Sequence, residues 1–311
     1  MTTAKRIWLF GDYNQAESRV VAWRGPVKKL KQWYSEGRDV HLETTLLIAK
    51  IVQQNNLKLP QGLYETIPWD AFCDGTLTHK TCAHYRKGSE EREQTKRIIH
   101  GYNYKVGKKK VSLILNVPEA VAELLMTIYG KLNPDIAGGY HVWIENEIRR
   151  TRMIVTPEPV RFRKVFWDQI NDDTYRQAYA SYPQIIIASM LNRTLEYCCT
   201  IFRRDDNEDL KDQWCAWYGA GNWDDWRKLR DSDVRSPLAI LWGGMDVRLN
   251  AHDAGGISIP NDPELVWWAA TTWKTKGEET IWIEKDIPLV IPIDFKKGPT
   301  WGLLEDYKLS E

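Results

Sequence analysis

Little in this chain is one-sided. Forty-three lysines and arginines face 42 aspartates and glutamates, so bulk charge selects no partner. Any affinity for nucleic acid has to come from local basic patches. No apolar run approaches the roughly 18 residues that cross a bilayer, so no membrane partner is expected. Met1-Thr2-Thr3-Ala4-Lys5-Arg6 leads straight into an apolar stretch without the build of a signal peptide. Cysteine is sparse: the five residues are odd in number and lack C-x-x-C spacing. That suits a reducing cytosol better than a disulfide scaffold. Internal repeats, low-complexity tracts and a βαβ rhythm are all absent, and the mixed pattern points to an α+β arrangement. What is present is enough apolar sequence, 43%, to bury a sizeable core. The sixteen tryptophans read as core and stacking surface and select no function.

The most informative stretch is Gly11-Asp12-Tyr13-Asn14-Gln15-Ala16-Glu17-Ser18-Arg19, which follows the apolar run Ile7-Trp8-Leu9-Phe10. It predicts a strand over 6–12 and a helix over 14–24. Asn14 stands at a cap position and Glu17 follows three residues later, the spacing of a capping box. An aspartate at the end of a buried strand is a good place for a metal ion, although a strand, a turn and a capped helix need no chemistry at all. A second carboxylate, Asp253, lies between predicted strands 247–251 and 257–259, with Gly255-Gly256 assigned to the turn. Two such carboxylates suit a pair of divalent cations in phosphoryl-transfer geometry, with Mg²⁺ the natural choice for hard oxygen ligands.

Arg92, Lys96, His100 and Tyr104 recur every four residues. On the helix that Ser89-Glu90-Glu91 opens, this spacing makes one cationic face, fitted to an extended polyanion such as a triphosphate. A solvated basic face has the same appearance. His41, at the start of a helix over 39–55, is a further phosphate donor or a plain capping histidine. Helices are also predicted over 118–130 and over 183–202, the latter entered through Pro183. Arg176 and Gln184 are polar residues near that entry, with Gln184 a candidate for minor-groove contact. Cys73, His79, Cys82 and His84 are zinc-compatible in type but fit no established ligand spacing. Residues 203–236 are charged, tryptophan-rich and read as an insertion.

Taken in order, these residues resemble the C-terminal half of a family A DNA polymerase, the group of bacterial DNA polymerase I and many phage replicases. Asp12-Tyr13-Asn14-Gln15-Ala16-Glu17-Ser18-Arg19 is similar to that family's first polymerase motif, usually written DYSQIELR. Arg92-x3-Lys96-x3-His100-Gly101-x2-Tyr104 resembles the second, in a form nearest to phage members. His252-Asp253 resembles the third, usually HDE. Tyr179-Ala180-Ser181-Tyr182-Pro183-Gln184 and Gly298-Pro299-Thr300-Trp301-Gly302 are similar to a palm-helix segment and a phage-type ending.

The resemblance implies a palm on an antiparallel sheet, residues 1–24 and 156–311, and mostly helical fingers, residues 25–155. It implies Mg²⁺, two ions with Mn²⁺ as a substitute, held by Asp12 and Asp253 with the Tyr13 carbonyl. Gln15, Glu17, His41, Arg92, Lys96, His100 and Tyr104 would meet a deoxynucleoside triphosphate. Lys96 would protonate the leaving group, and Glu17, hydrogen-bonded by Tyr104, would exclude a ribose 2′-hydroxyl. Arg176, Gln184 and His252 would touch primer–template DNA. The setting implied is the bacterial cytosol, with a phage gene as one source.

Three residues depart from the pattern. Ala254 stands where glutamate is usual, Lys105 where glycine is usual, and His100 where Phe or Tyr is commoner. With so little sequence before Asp12, neither a thumb nor an exonuclease domain is expected in this chain. A second polypeptide supplying them is the expected partner. A non-catalytic replisome subunit that binds primer–template is the alternative, and a two-metal phosphodiesterase is a third reading.

Overall fold

The computed structural model describes residues 6–60, 63–64, 89–200, 246–251 and 253–309. His252, the Cys73/His79/Cys82/His84 group and the 203–236 segment lie outside the described residues. The chain begins with β1 (Arg6–Tyr13), α1 (Ala16–Arg24), α2 (Lys28–Ser35) and α3 (Val40–Gln54). It continues through α4 (Glu90–Asn103), α5 (Lys108–Leu115), α6 (Glu119–Leu132), a π-helical turn (Ile136–His141) and α7 (Val142–Thr151). A short hairpin, β2 (Met153–Val155) and β3 (Arg163–Val165), leads into α8 (Asp172–Thr200). The last part holds β4 (Asp246–Ala251), β5 (Ala254–Pro260), α9 (Pro263–Gly277), β6 (Ile281–Glu284), β7 (Ile287–Leu289), β8 (Ile293–Gly298) and β9 (Glu305–Tyr307). Among the described residues no single helix is long and apolar enough to cross a membrane.

Five of these strands form one antiparallel sheet in the order β4-β5-β1-β8-β9. β1 is central, so both of its edges are paired. Its alternation decides which way the sheet faces: Ile7, Leu9, Gly11 and Tyr13 are buried, while Trp8, Phe10 and Asp12 take the opposite face. Gly11 and Gly255 sit opposite each other across β1 and β5. They have no side chain because the fully buried ring of Trp273 on α9 lies against them. A Cβ at Gly11 would come within 2.9 Å of that ring, and one at Gly255 within 3.1 Å.

The sheet corrects one expectation from the sequence. Gly255 and Gly256 are strand residues of β5, which begins at Ala254, paired with Ala251 of β4. Small residues here make room for packing against Trp273 and Leu191, a role that glycine's turn preference conceals. α8 corrects another. It starts at Asp172 and carries Pro183 in its interior. Proline costs a helix one backbone donor, but the buried stripe Tyr179, Tyr182, Ile186, Leu191 and Leu195 runs through it unbroken. Tertiary burial on both sides outweighs that local cost.

The π-helical turn brings the helical region against the end of α1. A Cβ at Gly139 would lie 2.6 Å from the Gly25 carbonyl oxygen, so the two backbones touch directly. His141, 2% exposed, ends this turn. Its Nε2 donates to the Asn103 carbonyl at 2.9 Å, and its ring centroid lies 4.7 Å from that of Tyr179. Burial, helped by the nearby Lys105 charge, lowers the His141 pKa from 6.5 to about 4, against the pull of the Asn103 carbonyl and Glu145. The unfolded chain protonates this histidine near 6.5, so its contribution is complete above that pH. It is lost as pH falls from 6.5 toward 4. Burial lowers His41 in the same direction. The thermal midpoint is therefore expected to drop across this window, and in His141→Gln the drop should be shallower. Thermal unfolding at a series of pH values measures both.

Candidate active-site cleft

The end of β1 opens into a cleft of about 730 Å³ between the sheet and the helices α3 and α4. On the sheet side, the Tyr13 N–H donates to the Asp253 carbonyl at 2.9 Å, and Asp12 sits opposite Ala254, the residue after Asp253. The two carboxylates expected from the sequence thus arrive from neighbouring strand ends, and both line the cleft.

The turn after β1 departs from the expected capping box. Gln15, not Asn14, is the N-cap of α1. It adopts a left-handed conformation (φ 50°) and makes no side-chain cap bond. Asn14 is used across the sheet instead: its Nδ2 donates to Asp294 Oδ2 at 2.8 Å and its N–H to the Pro292 carbonyl at 2.8 Å. Its own carbonyl accepts from Arg19 Nε at 2.9 Å, and the Arg19 guanidinium lies 4.2 Å from the centre of the Tyr34 ring. Glu17 reaches across to the end of α4. Its Oε2 accepts from the Tyr104 hydroxyl and lies 3.2 Å from His100 Nδ1. Burial, reinforced by the Glu17 charge, raises the Tyr104 pKa well above its usual value and keeps the hydroxyl protonated as a donor.

The opposite wall carries the phosphate-binding candidates. Lys96 is exposed and makes no hydrogen bond or ion pair among the described residues. His41 is 2% exposed, and its Nδ1 has no hydrogen-bond partner among the described residues. Burial first, then His100, Arg92 and Lys96, hold its pKa well below the usual value, so at neutral pH it is an uncharged imidazole. Arg92 is buried and paired with two acids, Asp39 and Glu93. The cationic stripe read from spacing is therefore partly neutralised from within. Ser89, expected to cap α4, makes no side-chain cap bond.

Asp12, Tyr13, Gln15, Glu17, His41, Arg92, Lys96, His100, Tyr104, Gln184 and Asp253 all line this one cleft. Arg176 does not. It pairs with Asp173 at 2.6 Å and lines a separate groove beside Tyr104 and α5. His252 lies outside the described residues. Asp12 and Asp253 are oxygen donors that share this cleft. No group of three or more His, Cys, Asp or Glu side chains among the described residues forms a metal site by itself.

No protein-family model and no curated protein sequence matches the chain. Among solved structures it is similar to the POL domain of Pol1 from M. smegmatis, in complex with DNA primer-template and dNTP. The TM-score is 0.58 and the identity 14%, over 96% of this chain. The fold is that of a DNA polymerase POL domain. The chain spans 40% of the length of that structure's chain. The polymerase fold, with its antiparallel sheet and mostly helical second region, is the architecture that the motif order implied.

Within that fold, the departures noted in the sequence have local accounts. Lys105 has φ 49°, the left-handed region where glycine is easiest. It is held there by an ion pair with Glu145 at 2.7 Å, and Glu145 also accepts from the Tyr179 hydroxyl at 2.6 Å. Ala254 is 8% exposed. Asp294 was missed by the sequence reading. It pairs in register with Asp12 on β8 and lines the cleft. The alternation Ile293-Asp294-Phe295, buried-exposed-buried, was the available signal. Asp39 was also missed as a site residue: it lines the cleft and caps α3.

Proposed function

We propose that this chain is the palm–fingers part of a template-directed DNA polymerase, of family A and phage type. Residues 1–24 and 156–311 would form the palm and residues 25–155 the fingers. The observation that carries this reading is the convergence of Asp12 and Asp253 with Lys96, His41 and Arg92 on one cleft. The polymerase fold supports it.

The donor set suits Mg²⁺. Asp12 and Asp253 are hard oxygen donors, and because no group of three or more metal-binding side chains is assembled among the described residues, water and substrate phosphates would complete the shell, as Mg²⁺ prefers. Two Mg²⁺ ions bound between Asp12, Asp253 and the Tyr13 carbonyl would supply Lewis-acid activation of the primer 3′-hydroxyl and charge neutralisation at the phosphates, with Mn²⁺ as a substitute. In the transfer itself, the primer 3′-oxygen bonds to the α-phosphorus as the bond to the bridging oxygen of the β-phosphate breaks. The hydroxyl proton passes to water, and Lys96 gives its proton to the leaving pyrophosphate. Glu17, held by Tyr104 and His100, borders the sugar. Gln184, which lines the cleft from α8, would meet the minor-groove edge of the terminal base pair, where acceptors are nearly uniform. A further polypeptide that grips the duplex would complete the assembly.

The test is primer extension by the purified chain on a primed template with Mg²⁺ and deoxynucleotides, with and without the product of a neighbouring gene. No Mg²⁺-dependent extension under either condition rejects the proposal. The pairing of Arg92 with two acids favours a second reading, a primer–template-binding subunit without catalysis. Mg²⁺-dependent nucleotide binding by the isolated chain would rule against that reading.

A further inference from the structure

The phosphate side of the cleft already contains an anion. Arg92 Nε donates to Asp39 Oδ2 at 2.9 Å, and its NH2 group lies 2.8 Å from the same oxygen. Its NH1 group meets Glu93 at 2.8 Å. All three guanidinium nitrogens thus have acid partners, and the residue is 6% exposed, so it has little freedom to present another edge. The other oxygen of Asp39, Oδ1, accepts from the His41 and Leu42 N–H groups at 3.0 and 3.1 Å and caps α3. Asp39 is therefore anchored by one oxygen while the other rests on Arg92. Nearby, Arg38 is tied to Glu43 and Glu36, whereas Lys96 has no such partner among the described residues. Both Asp39 and Arg92 line the cleft.

We propose that Asp39 is an internal competitor for Arg92: it holds the guanidinium when no phosphate is present and must release it when the triphosphate binds. This rests on the polymerase reading of the cleft. Asp39 and Glu93 engage all three nitrogens and three of the five N–H donors, and Asp39 takes the whole Nε–NH2 edge, so a polyphosphate that needs this edge competes with Asp39 for it. Binding at Arg92 is thus weakened by the contact it breaks and by the Asp39 charge that stays close by. The same contact re-forms as pyrophosphate leaves, which favours product release. A residue that merely positioned Arg92 would act in the opposite sense, since its removal would weaken nucleotide binding.

Asp39→Asn separates these roles. It keeps an oxygen for the α3 cap and removes the charge. Asp39→Ser, which also caps, controls for the amide. Calorimetric titration of the full chain with Mg²⁺ and a deoxynucleoside triphosphate is expected to show tighter binding in both variants, by about fivefold, the upper range for a partly exposed ion pair. The gain should vanish in an Arg92→Gln background, a double-mutant test of direct competition. Unchanged or weaker binding in Asp39→Asn and Asp39→Ser, with binding by the wild-type chain intact, overturns the role of Asp39 alone. A gain that persists without Arg92 also overturns it. Binding by neither the wild-type chain nor its variants overturns this role and the polymerase reading together. Binding only by the variants supports both.

Discussion

Asp12→Ala and Asp253→Ala are each expected to remove Mg²⁺-dependent primer extension, by on the order of a thousandfold or more, the scale seen when one preorganised electrostatic group is lost from an active site. The structure explains why this loss should be chemical. Asp12 is held through its backbone, paired to Ala254 on one side and Asp294 on the other. The link to Asp253 is likewise from the Tyr13 N–H to a carbonyl. These sheet links run through the backbone and not through either carboxylate. Thermal midpoints and primer–template affinity by gel shift should stay near wild type while single-turnover extension disappears. Full activity in either variant would remove the basis for the two-carboxylate reading.

Glu17→Ala is expected to have the second largest effect, and on selectivity more than on rate. The Glu17 side chain is 12% exposed. The Tyr104 hydroxyl and His100 Nδ1 both converge on it from α4. A carboxylate fixed from two directions cannot yield to an additional hydroxyl on the incoming sugar. Its removal opens that space and leaves Tyr104 a free donor that welcomes the hydroxyl. The preference for deoxy- over ribonucleotides, taken as a ratio of kcat/KM, should fall by about a hundredfold, the scale on which a packed pocket rejects one hydroxyl. Tyr104→Phe, which removes one of the two supports, should fall between Glu17→Ala and wild type. Equal losses with both sugars would mean that Glu17 serves the structure of the cleft rather than its choice of substrate.

The motif spacing made much of this cleft readable, because helical and strand periods turn sequence intervals into shared faces. Arg92, Lys96, His100 and Tyr104 do follow one helix to one cleft. Spacing could not reveal the acids that meet them. Asp39 is distant in sequence from Arg92, and its cap geometry offers a sufficient local explanation for its presence. Asn14 shows the same limit from the other side. Its position matched a capping box, yet its side chain is taken by Asp294 on a strand 280 residues away. At Pro183 and at Gly255-Gly256 the local signals were real, but packing against buried aromatic and aliphatic side chains decided the outcome. In each case the competing interaction was long-range, and nothing in a short window of sequence records it.

The central position of β1 has a consequence for the order of assembly. Its hydrogen-bonding partners on both sides, β5 and β8, lie more than 240 residues later in the chain. During synthesis the strand bearing Asp12 emerges well before its partners and waits, unpaired, until β5 and β8 have left the ribosome. The helices from α1 to α7 can gather from local contacts in the meantime. Long-range pairing of this kind is slow, so a nascent chain has no assembled cleft until β5 and β8 arrive. An unpaired, aromatic-bearing strand is also a template for mispairing. That makes β1 the segment on which a chaperone would act to greatest effect.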